Sequence, residues 1–548
     1  MPGARYGLTV GIGWAPVGAS LVALQGGGVT VLVAALAGTW TYALARDHLP
    51  HSLHPLMLFR QIHDPSLAQY AYLVGCQRSG EALIVDPERD IDRYLAAAEA
   101  EGVTITHVAE THIHADFLSG ARALADRTGA RLLLSAEGEP HGWGSAWAAD
   151  RDDVTWLRDG DRFQVGRITV RVLHSPGHTP EHLSFVVTDH GGGADEPIGL
   201  ISGDFVFVGD LGRPDLLERA AGQDGAQEPA ARDLYASVQR FLDLDDHVQV
   251  WPGHGAGSAC GKALGAVPQS TVGYERRFNG SIDAARRGPD AFVAAMLDGQ
   301  PEPPLYFARM KAQNREGVPS LGALPAPRAL TPVDLVDGRE TSGDLDGAVL
   351  IDTRPDRSAF MAAHLEGALY APLGASFSTV VGSLVTDPDT PLVLILPEAE
   401  VDGAVRTLVR IGLDRVVAYV TYETLAAALA TGAVASIPET DFRALADRPG
   451  APVLDVRRQA EVDAGHVPAS VHIPHTRLAA HLDAIPRDRP LWVHCQSGAR
   501  AAVASAFLAS HGVDVVYVND AFAHYRGPGE ETAAASFADS RSSLSLPT

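Results

Sequence analysis

The 548-residue chain predicts a multidomain α/β protein, and three observations carry that expectation. From Leu56 to about Met310, short β-type runs alternate with alanine-rich helical stretches and are separated by turn signals. Four turns in that region set a metal-ligand type of side chain at the end of an apolar run. They are Thr111-His112-Ile113-His114-Ala115-Asp116-Phe117, Ser175-Pro176-Gly177-His178-Thr179, Ser202-Gly203-Asp204 and Pro252-Gly253-His254-Gly255. Farther along, the chain repeats itself with a period of about a hundred residues, the size of a small domain. A chain this long exceeds one hydrophobic core.

The apolar fraction of 46% and charged fraction of 20% are those of a folded globular protein. A net charge of −24 leaves no basic excess to neutralise phosphates, which argues against a nucleic-acid partner. Cys76, Cys260 and Cys495 are too far apart in sequence to suggest a disulfide framework, so a reducing, cytoplasmic setting is expected. A homo-oligomer is also expected.

Residues 1–50 differ from the rest. No charge occurs from Gly7 to Ala45, and Gln25-Gly26-Gly27-Gly28 divides two apolar halves. As a helix, Val29 to Ala45 would span about 26 Å, short of a hydrocarbon core of about 30 Å. Arg5 and Arg46 flank the pair, so a short apolar helical hairpin with both ends cytoplasmic is expected. The run Gly11-Ile12-Gly13-Trp14-Ala15-Pro16-Val17-Gly18-Ala19-Ser20 resembles part of a bacterial membrane family that moves sulfur compounds, which carries cysteine where Ser20 stands. Two readings stay open: residues 7–45 tether the protein to the inner face of the membrane, or they are a fusion relic. His48, His51 and His54 are assigned to a polar linker.

The next region, 55–316, reads in order as strands near 56–62, 71–74 and 82–85, a helix from Ile91 to Glu101, and the strand Ile105 to Ala109 that feeds the His-x-His turn. A helix to Thr128, further short strands, a helix from Pro229 to Asp243 and the strand Val248 to Trp251 complete it. In an extended segment residues two apart share a side, so His112, His114 and Asp116 point together. The order of the four turns and their local sequences resemble the metallo-β-lactamase fold superfamily, which implies an αββα sandwich with a metal held between two sheets. The binuclear hydrolases of that superfamily use His-x-His-x-Asp-His; here the last position is Phe117, whose ring cannot ligate, so one metal is expected.

Glu110 to Gly120, and Gly209-Asp210-Leu211-Gly212-Arg213-Pro214-Asp215, resemble the persulfide dioxygenases of the superfamily. That resemblance implies a mononuclear Fe(II) held by His112, His178 and Asp204, with His114, Asp116 and His254 orienting the ligands. It also implies oxidation of a low-molecular-weight thiol persulfide by O₂ to thiol and sulfite. Arg213 is expected to anchor an anionic carrier thiol. Cys260 is a candidate accessory thiol whose neighbour Lys262 favours the thiolate. Zinc in a hydroxyacylglutathione hydrolase-like enzyme is the alternative reading, and a non-catalytic membrane-tethered sulfur carrier is another.

Residues 317–330, rich in Pro, Gly, Ala and Leu, read as a linker. Leu350-Ile351-Asp352-Thr353-Arg354 with His364 is echoed by Leu454-Asp455-Val456-Arg457 with His466, placing two copies of one small α/β domain at 331–437 and 438–528. In the second copy, strand Leu491 to His494 runs into Cys495-Gln496-Ser497-Gly498-Ala499-Arg500 and then a helix from Ala501. A loop between strand end and helix start aims backbone N–H groups and the helix dipole at one point, a setting for a thiolate. The motif resembles the rhodanese (sulfurtransferase) family, which implies Cys495 as sulfur carrier. Arg500, with Ser497 and Gly498, would receive sulfite or thiosulfate. In the first copy Pro397-Glu398-Ala399-Glu400 stands at this place, so that copy is expected to be inactive. The tail 529–548 is expected to be disordered.

Overall fold

The computed structural model describes residues 57–336, 345–430 and 434–526, together with four strands between residues 9 and 44. The expectations for His48, His51, His54 and for 529–548 lie outside the described residues.

The helical hairpin expected at the N-terminus is replaced by strands. Thr9–Trp14, Ser20–Gly26, Val29–Leu36 and Thr39–Leu44 pair as an antiparallel four-stranded meander. The physical reason is composition: Val and Thr crowd a helix at χ1, and glycines interrupt the run every few residues. Among the described residues no helix is long and apolar enough to cross a membrane.

Residues 57–271 build two six-stranded sheets. In the first the spatial order is Val154–Leu157, Arg131–Ser135, Thr104–Ala109, Glu81–Val85, Gln69–Cys76, Met57–Asp64. In the second it is Arg162–Val165, Ile168–His174, Leu183–Asp189, Gly199–Gly203, Gln249–Pro252, Ser270–Thr271. Period-two alternation sorts their side chains into layers. Tyr72, Val74, Leu83 and Val85 face inward against Val170, Val172, Phe185, Val187 and Trp251 of the other sheet. Leu73, Ile84, Val108 and Leu132 face outward under the helices Asp92–Glu101 and Ala121–Thr128. On the far side Leu173, Val186, Leu200 and Val250 lie under Gln227–Leu242 and Pro289–Leu297. These layers make an αββα sandwich, and the four ligand-bearing turns lie along one edge of it.

The five-stranded sheets of the repeated units share one strand succession, and every pairing within them is parallel. The first orders Arg328–Ala329, Val416–Val420, Leu392–Ile395, Val349–Asp352, Leu369–Tyr370. The second orders Glu439–Thr440, Val515–Val518, Leu491–His494, Val453–Asp455, Val471–His472. In both, the repeated Asp-x-Arg motif closes on itself: Arg354 pairs with Asp352, and Arg457 with Asp455 at 2.7 Å.

The first unit is seated on the sandwich through buried ions. Arg410, at the end of helix Val401–Arg410, donates to Asp64 at 2.8 Å and to Asp90 at 2.9 and 2.7 Å, and lies 3.3 Å from Glu88. Arg89 reaches back to Asp414 at 2.6 Å. The backbone N–H of Leu118, in the His-x-His loop, donates to the Arg410 carbonyl at 2.7 Å. The second unit touches the sandwich through Arg477 and Glu302, 3.5 Å apart.

Candidate metal centre and cysteine loop

The strand Thr104–Ala109 delivers the chain to Asp86, which organises the next turn. Asp86 accepts from the Thr111 backbone N–H at 2.6 Å and from its hydroxyl at 2.8 Å. With that hydroxyl proton committed, Thr111 Oγ1 can accept from His112 Nδ1 at 2.9 Å, leaving His112 Nε2 as the lone-pair nitrogen. His178 is oriented in the same way, its Nδ1–H donating to the Arg213 carbonyl at 3.0 Å. Gly177 precedes it at φ +140°, where an added Cβ would strike Leu234. Burial pushes both imidazoles well below the ordinary histidine pKa, so both are neutral.

Asp204 completes the group at the end of strand Gly199–Gly203. Its Oδ2 lies 3.6 Å from His178 Nε2 and 3.9 Å from His112 Nε2. All three residues are buried, and these three atoms have no hydrogen-bond partner among the described residues. Orphaned buried polar atoms are costly, and two imidazoles with a carboxylate converging on one point are a donor set for a divalent cation. The residues fit a single metal.

His254 stands beside this group. Its Nδ1–H donates to the Ala68 carbonyl at 3.2 Å, and its Nε2 faces Asp116 at 3.2 Å and Asp204 at 3.5 Å. His114 turns elsewhere, with Nε2 at 2.8 Å from Glu110 and 3.3 Å from Asp86. Burial opposes a charge on His114, but these carboxylates outweigh it and hold its pKa well above the ordinary value. The buried Phe117 ring packs on His114, 4.2 Å between centroids.

Two expectations are corrected. Arg213 does not present its guanidinium to a ligand; it is fully buried, clamped on Asp215 by two 2.7 Å bonds, and donates to the Ala259 and Pro301 carbonyls. A substrate anchor needs free donors, and Asp215, two residues on, consumes them. Lys262 does not activate Cys260, because its ammonium donates to the Ala295 and Asp298 carbonyls. Burial, reinforced by Asp116 and Asp204, pushes the Cys260 thiol pKa well up. Cys260 nonetheless lies in a cluster with Asp116 and His254, a proximity that sequence separation concealed.

Several residues of the site had no counterpart in the sequence reading. His182 accepts from the Asp204 backbone N–H at Nε2 (3.0 Å) and bonds Ser175 at Nδ1 (2.9 Å), with burial holding its pKa down at about 3. Its only signal was its place four residues after His178. Asn314, on the helix Tyr306–Glu316, donates to the carbonyls of His114 (2.9 Å) and Phe117 (2.7 Å) and accepts from Ser119 N–H (2.9 Å). Glu181 accepts from the Ile113 N–H at 2.7 Å.

The cysteine loop lies in the second repeated unit. Cys495 is buried at the end of strand Leu491–His494, and the helix Ala499–Ser510 begins just past it. Gly498 sits at φ +87°, where a Cβ would meet Asn519 and the Tyr517 hydroxyl, and Tyr517 donates to its carbonyl at 3.1 Å. Ser497 is exposed at the rim, and its carbonyl accepts from Arg357 of the first unit at 3.1 Å. Arg500 binds Glu461 at 2.6 and 2.7 Å; burial opposes its charge, and Glu461 and Cys495 together outweigh it.

Fold and site together define a metal-binding αββα protein joined to a parallel-sheet unit with a cysteine loop. The Metallo-beta-lactamase superfamily pattern matches residues 65–254, and the Rhodanese-like domain pattern matches 439–526. The crystal structure of a metallo-beta-lactamase from Staphylococcus aureus subsp. aureus COL is similar with TM-score 0.60 and 39% identity, over 67% of this chain and 99% of that one. The mitochondrial persulfide dioxygenase ETHE1 of Bos taurus is 29% identical over 227 residues, 41% of this chain and 75% of that protein. A beta-lactamase hydrolase-like protein of Xylella fastidiosa is 30% identical over 239 residues, 39% of this chain and 50% of the relative, so the chain spans half of that protein's length. The chain belongs to the metallo-β-lactamase superfamily and carries a C-terminal rhodanese-like domain.

Proposed function

We propose that the protein is a mononuclear Fe(II) persulfide dioxygenase coupled to a sulfurtransferase in sulfide detoxification. The observation that carries this reading is the convergence of three orphaned ligand atoms, from His112, His178 and Asp204, in a chain that also holds the Cys495 loop. The overall reaction is R–S–SH + O₂ + H₂O → R–SH + H₂SO₃, in which the terminal sulfur is oxidised to the +4 state and O₂ takes up four electrons.

Iron, when bound, supplies the one-electron steps that O₂ requires. The protein supplies the setting. Thr111 and the Arg213 carbonyl keep His112 and His178 in the tautomer whose Nε2 is free. His182 fixes the Asp204 backbone by accepting from its N–H. The Cys495 thiol carries sulfane sulfur as a persulfide. Transfer to sulfite, Cys–S–S⁻ + SO₃²⁻ → Cys–S⁻ + S₂O₃²⁻, gives thiosulfate, and the reverse supplies persulfide. Arg500, beside Cys495 with both terminal nitrogens bound to Glu461, acts on the anionic partner through its positive field and its remaining N–H groups. The first repeated unit, which has Glu398 and Glu400 at the equivalent loop, serves as a structural seat.

One observation favours a second reading. Asp116, His254 and Cys260 form another cluster beside the first, as a two-metal zinc hydrolase would use. Oxygen consumption by anaerobically prepared protein, with sulfite measured after addition of a glutathione persulfide, discriminates. One O₂ taken up per sulfite supports the dioxygenase; thioester cleavage without oxygen uptake supports the hydrolase.

A further inference from the structure

Next to the candidate metal centre lies a second group of buried side chains that no step above employs. Lys311 projects from the helix Tyr306–Glu316 and is only 1% exposed, yet its Nζ has no hydrogen-bond partner among the described residues. Beside it the Trp143 indole N–H is likewise without a partner among the described residues. Lys311 Nζ lies 5.5 Å from the Trp143 ring centroid, and Arg315, one turn on, lies 5.2 Å from the same ring.

A buried ammonium without partners costs several kcal/mol unless an anion meets it. The carboxylates that act on Lys311 do so only at a distance. None comes within ion-pair range; burial lowers the Lys311 pKa, and Glu181, Cys260, Asp204 and Asp116 oppose that shift in favour of the ammonium. His112, Trp143, Glu181 and Asn314 line one cavity, and the Lys311 ammonium lies against the Trp143 ring that forms part of its wall. Lys311 reaches that space from a helix already bound to the His-x-His loop through Asn314, so its position is fixed relative to the triad.

We propose that Lys311 is the anion-binding residue of the metal centre, holding a sulfur anion against the triad: the terminal sulfur of an ionised persulfide on entry and sulfite on exit. This rests on the dioxygenase reading for the identity of the anion. Glu181 lines the same cavity, with one oxygen bonded to the Ile113 N–H, and its negative charge weakens anion binding and eases release. The Trp143 ring lies under the Lys311 ammonium, close enough for its fluorescence to report occupancy.

The test uses the full-length protein loaded anaerobically with Fe(II), and sodium sulfite as the probe. Sulfite affinity is read by calorimetry and by the tryptophan signal, with no turnover, so the measurement stands whether or not the protein consumes oxygen on persulfide. Loss of one charge-assisted contact corresponds to a weakening on the order of ten- to a hundredfold. Lys311→Met, which keeps the stem, should lower sulfite affinity by that factor and raise the KM for persulfide with kcat and iron content nearly unchanged. Lys311→Arg should retain part of the affinity. Glu181→Gln, which preserves the Ile113 hydrogen bond and removes the charge, should tighten sulfite binding. Weakened sulfite binding supports the anion site even where persulfide is not turned over, and a KM shift without weakened sulfite binding would overturn it. Unchanged sulfite affinity and KM in Lys311→Met, with no tightening in Glu181→Gln, would overturn the proposal.

Discussion

Asn314→Ala tests whether the helix Tyr306–Glu316 holds the metal loop in place. The Asn314 amide makes three hydrogen bonds of 2.7 to 2.9 Å to backbone groups of His114, Phe117 and Ser119, and the residue is buried. Each such bond contributes about 1 kcal/mol net, and each buried group left unpaired costs about 1–3 kcal/mol. Water entering the space of the lost amide would satisfy part of this, so a loss of about 3 kcal/mol is expected, concentrated in residues 111–120. His112 sits in that loop, and disturbed support of a ligand costs on the order of ten- to a hundredfold in metal affinity. Hydrogen exchange across 111–120 and competitive metal titration against a chelator measure both effects. If Asn314→Ala exchanged at the wild-type rate in that loop and bound metal with wild-type affinity, the coupling described here would be refuted.

Other consequences follow from the same geometry. Arg410→Met leaves Asp64, Asp90 and Glu88 buried without their cation and should destabilise the protein by about 3–5 kcal/mol, read by denaturation; an unchanged midpoint would mean that the first unit is seated by its apolar contacts alone. Arg213→Ala should lower stability and metal retention, because it releases Asp215 and the turn that accepts from His178, rather than acting on substrate affinity alone. Burial raises the Asp204 pKa to about 6 in the metal-free protein, above its unfolded value of about 4. For this acid the charged form is the costly one, so its contribution to metal-free stability is present below pH 4 and is lost as pH rises through 6. Metal uptake needs the carboxylate and runs the other way, weakening as pH falls through about 6; metal titrations at pH 5, 6 and 7 check the sign.

How far the site could be read from sequence depended on how local each relation is. His112, His178 and Asp204 stand in turns whose glycines and flanking apolar runs are adjacent in the chain, so their convergence at one sheet edge was foreseeable. The two repeated units were legible for the same reason, since Asp-x-Arg closes on itself within each strand end. Asn314 meets the loop from about 200 residues away and Lys311 lies on the same helix, so neither announces itself in a helical stretch of mixed polarity. Arg213 was misassigned because a sequence does not state which side of a turn is buried. The N-terminal segment misled because apolarity without a clear period fits helix and strand equally, and β-branched content with repeated glycine tips it to strand.

Iron and zinc content per chain bears most directly on the central claim, measured on anaerobically purified full-length protein and on His112→Ala, His178→Ala and Asp204→Ala. One iron per wild-type chain, lost in all three variants while Cys495-dependent thiosulfate sulfurtransferase activity persists, is the expected result. Two zinc ions per chain, or iron retained when these side chains are removed, would contradict it.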